Sequence, residues 1–107
     1  MADKVVIRLT FGSVEGALTL LDPIGTNNTW SCDPADYLSA SDGSWSQGLG
    51  SNKIVLKAAG SLVDVLTFTD LNMFQPEVGQ KGDAISSGDG GTVPDTQVVP
   101  WEISSVA

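Results

Sequence analysis

Two stretches of this chain are written in nearly the same words, and each spells a turn between two strands. Residues 4–22 read KVVIRLTF-GS-VEGALTLLD, and residues 52–70 read NKIVLKAA-GS-LVDVLTFTD. Aliphatic and β-branched runs on both sides of a two-residue Gly-Ser connection are the signature of a β-hairpin. Glycine at the first loop position takes positive φ without a Cβ clash, as a type II′ turn requires.

The turn sets a register. Around Gly12-Ser13, Phe11 faces Val14, Leu9 faces Gly16, Ile7 faces Leu18 and Val5 faces Leu20, all on one face. Thr10, Arg8, Val6 and Lys4 share the other face with Glu15, Ala17, Thr19 and Leu21. One apolar and one mixed face define a half-buried antiparallel pair, with Arg8 and Glu15 meeting diagonally. Around Gly60-Ser61 the same rule pairs Ala58 with Val63, Leu56 with Val65 and Ile54 with Thr67. It places Ala59 against Leu62, Lys57 against Asp64 and Val55 against Leu66. Both faces of this hairpin are apolar apart from the Lys57–Asp64 pair, so it is expected near the centre of the sheet. LTLLD (18–22) also aligns with LTFTD (66–70). The segments that follow do not match, and shared turn chemistry is a simpler reading than an internal repeat.

The intervening and trailing segments are irregular. In the loop region 23–51, Asn27 and Asn28 precede a short strand, Thr29–Cys32. Asp33-Pro34-Ala35-Asp36-Tyr37 has the form of a capped helical turn, with Pro34 at its first position. Ser39–Asn52 is rich in Ser and Gly and reads as a loop or irregular edge around Trp45. Leu71–Phe74 continues a strand or tucks into the core. Residues 75–95, dense in Gly and Pro, form a long loop or arm with a short strand at Ala84-Ile85-Ser86. The last segment, 96–106, alternates Val99, Trp101 and Ile103 against Val98, Glu102 and Ser104. Pro100 cannot donate to a ladder, so this strand is expected at an edge.

The sum is one all-β domain over residues 1–107, an antiparallel β-sandwich or small barrel of about six to seven strands. Its expected core is Val5, Ile7, Leu9, Phe11, Leu18, Leu20, Trp30, Leu56, Val63, Val65 and Ile103.

Chemistry is sparse. The 107 residues carry 13 acids against 5 bases, a net charge of −8, which opposes nucleic-acid binding. There is no histidine, the commonest general base and transition-metal ligand. Cys32 is the lone cysteine and reads as a small core residue. Asp83, Asp89 and Asp95 among glycines match no calcium-loop spacing. The pairs Asp33/Asp36 and Glu77/Asp83 lack the constellation that catalysis needs. No metal, cofactor or enzymatic activity is expected. No signal peptide or membrane-length apolar run is visible, so synthesis in a cytoplasm without membrane insertion is expected, and the sequon at Asn27 goes unused.

Three functions fit. The first is a structural subunit, such as a small virus or phage decoration or capsid-associated protein, forming a homo-oligomer or larger, virion-associated assembly. Its contacts are expected at Gln75, Pro76, Val78, Val98 and Trp101, where the arm and the edge strand meet neighbours. The second is a lectin-like module binding a glycan through Asn27, Asn28, Asp42, Trp45 and Gln47, since sugars stack on aromatic rings while Asn and Asp fix hydroxyls. The third is a protease inhibitor presenting the Gln75–Asp95 loop.

Overall fold

The computed structural model describes residues 4–11, 13–21, 28–35, 37–38, 40–47, 53–68, 76–87 and 97–107. They form β1 (Lys4–Phe11), β2 (Val14–Leu21), β3 (Thr29–Asp33), β4 (Asp42–Gln47), β5 (Lys53–Ala58), β6 (Ser61–Phe68), β7 (Lys81–Ser87) and β8 (Gln97–Val106). Each strand pairs antiparallel with the next, and β8 returns to β1, closing an up-and-down barrel of eight strands.

The expectation of six or seven strands, in a sandwich or a barrel, is corrected to eight in a closed barrel. The unforeseen strand is β4, DGSWSQ, which lacks the β-branched residues that mark strands. Part of the expected arm is also sheet, because residues 81–87 form β7, which pairs with β6 on one side and β8 on the other. The rest of that arm and Leu71–Phe74 lie outside the described residues, apart from 76–80. The C-terminal strand is not an edge. It spans the seam, and its ladder with β1 ends at Leu9↔Trp101, one residue short of Pro100, so the missing N–H interrupts nothing there. Of the expected helical turn at 33–37, Asp33 is taken up by the ladder opposite Ala17 and does not cap it, and among the described residues a turn closed by Tyr37 N–H to Pro34 O (3.0 Å) follows.

The first hairpin has the expected register from Lys4↔Leu21 to Phe11↔Val14, and the Arg8–Glu15 ion pair forms. Gly12 lies outside the described residues. The second hairpin departs from expectation. Its closing pair is Ala58↔Ser61, so the loop is Ala59-Gly60, with φ of 51° and 82°. Two successive positive φ values define a type I′ turn rather than II′. A bulge follows: Lys57 opposes Leu62 while Leu56 opposes Asp64, leaving Val63 unmatched. Beyond it Val55 opposes Val65 and Ile54 opposes Leu66. The cross-strand Lys57–Asp64 pair therefore does not exist. Val65 moves from the expected core to the outer face, and Leu66, Phe68 and Asp64 turn inward.

Inside the barrel, Val5, Ile7, Leu9, Leu18, Leu20, Trp30, Leu56, Val63 and Ile103 are buried as expected, joined by Tyr37, Leu38, Trp45, Ile54, Ala84, Val99 and Trp101. The side chain of Phe11 lies outside the described residues. Two indoles tie strands that are not neighbours. Trp30 on β3 reaches across β4 to donate to Lys57 O on β5 (3.0 Å), and Trp45 on β4 reaches across β3 to Leu21 O on β2 (3.0 Å). The first crossing needs Gly43, where a Cβ would stand 1.9 Å from Lys57 O. Tyr37 fills the space over Gly16, where a Cβ would meet its ring at 2.6 Å, and its hydroxyl lies 3.0 Å from Leu9 O and 3.1 Å from Val14 O. Cys32 is half-buried against this core.

Candidate association surface

Of the residues expected to bind a glycan, Asn28, Asp42 and Trp45 are described, and they lie along the β3–β4 pair. Asn27 and the side chain of Gln47 lie outside the described residues. Asn28 is half-buried before β3 and accepts Trp45 N–H through its carbonyl (3.1 Å). Asp42 stands exposed at the start of β4, opposite Ser31. Trp45, expected on a loop, sits within β4 with 4% exposure, and its only polar atom is engaged by Leu21 O. Packing has claimed the ring that stacking would need.

The expected assembly contacts divide similarly. Gln75 lies outside the described residues, and Pro76 is half-buried. Val78 is 64% exposed in the turn before β7, and Val98 is 61% exposed on the outer wall. Trp101 is corrected to a core residue: it is 3% exposed, and its ring meets Phe68 edge-on with centroids 5.4 Å apart.

Val98 has company that the sequence did not reveal. On the outer wall it opposes Ile85 of β7, which opposes Thr67 of β6, which opposes Lys53 of β5. Ile85 is 49% exposed. In the adjoining row Val55 opposes Val65, both half-buried. The result is an aliphatic, β-branched plate across β5–β8. It became visible only through the slipped register of the second hairpin, which turned Val65 and Thr67 outward together.

Along β7 and β8 the plate gives way to polar pairs, Asp83↔Pro100 and Lys81↔Glu102, and Glu102 also opposes Arg8 of β1. These residues, with Thr10 and Glu15, line a groove of about 440 Å³.

The opposite arc, β2–β4, differs in kind. Its outward residues form the rows Thr19–Ser31–Asp42 and Leu21–Thr29–Ser44. Between Gly12 and Asn52 the chain has no lysine or arginine. All five bases, Lys4, Arg8, Lys53, Lys57 and Lys81, lie on β1, β5 and β7.

Among the described residues, one carboxylate lies inside. Asp64 is fully buried, with Ser86 Oγ at 2.9 and 2.7 Å from its two oxygens and Val65 N–H donating at 2.8 Å. Hydrogen-bonding of this kind is what makes a buried polar group tolerable. Among the described residues no group of three or more His, Cys, Asp or Glu is placed to hold a metal ion. No helix among them is long and apolar enough to cross a membrane. The wall is apolar inward and mixed outward, the reverse of a lipid-facing barrel. Comparison with protein-family models, curated proteins and solved structures finds no match.

Proposed function

We propose that this chain is a non-catalytic structural subunit that self-associates, and that the outer plate of β5–β8 is its contact surface. The observation carrying this reading is the Ile85–Val98 pair, 49% and 61% exposed, side by side on the wall of a barrel that has no free edge. Strand addition, the usual route from a β domain to an assembly, needs an unpaired edge, and closure removes it. Contact must then be made face to face, and an aliphatic plate on a wall that is mixed elsewhere is the face suited to it.

Sedimentation across a wide concentration range tests this. The mean mass of the unaltered chain should rise with concentration, as should that of Leu21→Asp on the opposite arc. Val98→Asp should stay at the mass of one chain while keeping its far-ultraviolet circular dichroism. A single-chain mass for the unaltered protein throughout, or equal association in Val98→Asp, would refute the reading.

The glycan reading ranks second, because it leaned on Trp45, whose buried ring offers a sugar no face. The inhibitor reading leaned on a presented loop at 75–95, of which residues 81–87 are wall.

A further inference from the structure

We infer that the occupant of the β5–β8 plate is the same plate of a second copy, related by a two-fold axis, and that association closes at the dimer. This rests on the reading above and specifies it. Three observations lead there.

The first is what the plate can be matched with. Val55, Val65, Ile85 and Val98 would lose their gain from burial against a polar face, because hydroxyls and carboxylates stripped of water need partners that aliphatic groups cannot supply. The β2–β4 arc, with Ser31, Ser44, Thr29 and Asp42 outward, is such a face. Among the described residues, the other exposed large apolar side chains, Val14 and Leu21 on β2, Leu62 at the turn end of β6 opposite Lys57, and Val78 in the turn before β7, stand apart from one another and make no second plate. The plate's natural complement is itself.

The second is charge. Two copies at −8 each repel. A two-fold contact through β5–β8 joins strands that hold three of the five bases, Lys53, Lys57 and Lys81, and turns the base-free β2–β4 arcs away from each other. It also brings Lys53 and Lys81 near the partner's plate margin, where the same strands carry Asp83 and Glu102. A head-to-tail contact would instead set the plate against acids and hydroxyls.

The third is closure. An isologous contact consumes the same patch on both partners and leaves none to recruit a third. Its size is modest. Four strands about 4.8 Å apart, over three residues of about 3.3 Å rise, make a plate of roughly 19 by 10 Å. A standard interface covers about 800 Å² on each partner, so this dimer belongs to the weak, concentration-dependent class.

Cysteine mapping decides it. In a Cys32→Ser background, Ile85→Cys places one thiol near the centre of the plate, and Leu21→Cys places one on the opposite arc. Under mild oxidation Ile85→Cys should form a covalent dimer and nothing larger, Leu21→Cys should remain a single chain, and adding Val98→Asp should cut the yield at position 85 by about tenfold or more. Sedimentation of the unaltered chain runs alongside. If mass keeps growing beyond two chains, or a dimer forms that Ile85→Cys does not trap, the two-fold plate contact is wrong and self-association stands. If the unaltered chain stays single at every concentration, both fail together.

Discussion

The two hairpins share their turn letters and differ in register, and the difference lies in what each would lose by slipping. In the first hairpin one face carries Val5, Ile7, Leu9, Leu18 and Leu20, while the other carries Lys4, Arg8, Thr10 and Glu15. A slip of one residue would expose the first set and bury charges, so turn and pattern agree. In the second, both parities are apolar. The II′ register would bury Val65 and Thr67, whereas the observed register buries Leu66 and Phe68. Full burial is worth about 1.5–3 kcal/mol for a large apolar side chain, and holding Ala59 in the left-handed region costs about 1–2 kcal/mol. Exchanging a valine and a threonine for a leucine and a phenylalanine offsets that cost. Where a face is not defined by polarity, packing chooses the register and the turn accommodates it.

The sharpest way to break this comparison is to truncate alternate residues of β6. Phe68→Ala should cost about 3–5 kcal/mol and Leu66→Ala about 2–5 kcal/mol, whereas Val65→Ala, on the outer wall, should cost less than about 1 kcal/mol. Chemical denaturation measures all three. A larger loss at Val65 than at Leu66 would restore the II′ register and dismantle the plate with it.

The same contrast explains what could be read beforehand. The first hairpin and the alternation of Val99, Trp101 and Ile103 were legible because polar and apolar residues take turns there. Strand β4 was not, because Asp42, Gly43, Ser44 and Ser46 look like loop. Gly43 is small for a reason that appears only in three dimensions, since the indole of Trp30 passes over it to β5. Closure was illegible too: β1 and β8 meet from opposite ends of the chain, and neither carries a mark of the other. Of the plate, Val98 alone was foreseen. Ile85 falls in a short strand, the expected register puts Val65 in the core and Val55 on the opposite face of the hairpin, and no local pattern says that they share a surface.

Asp64 offers a second, smaller break. It is inside because the bulge at Val63 turned it there, and Ser86 supplies it with a hydroxyl donor. Ser86→Ala removes that donor from a buried carboxylate, a cost of about 1–3 kcal/mol. The corresponding change on the outer wall, Ser44→Ala, should fall within about 0.5 kcal/mol. Equal effects at the two positions would mean that Asp64 reaches water, and that the second hairpin does not wind inward past the bulge.

The smallest effect separates the two turn types directly. In the observed turn Ala59 has φ of 51° and Gly60 φ of 82°. A β-carbon at the first position is strained, so Ala59→Gly trades that strain for the extra freedom glycine has in the unfolded chain. The strain is about 1–2 kcal/mol and the entropic cost about 0.4–1 kcal/mol, leaving a net stabilisation of up to about 1 kcal/mol. In a II′ turn centred on Gly60-Ser61, Ala59 would be an ordinary strand residue, and glycine there would destabilise by about 0.5–1 kcal/mol. The two turns thus predict opposite signs for one substitution, and a shift of the denaturation midpoint reads the sign without needing its size. A downward shift would return Ala59 to the ladder and Val65 to the core, and leave Val98 and Ile85 without the neighbours that make them a surface.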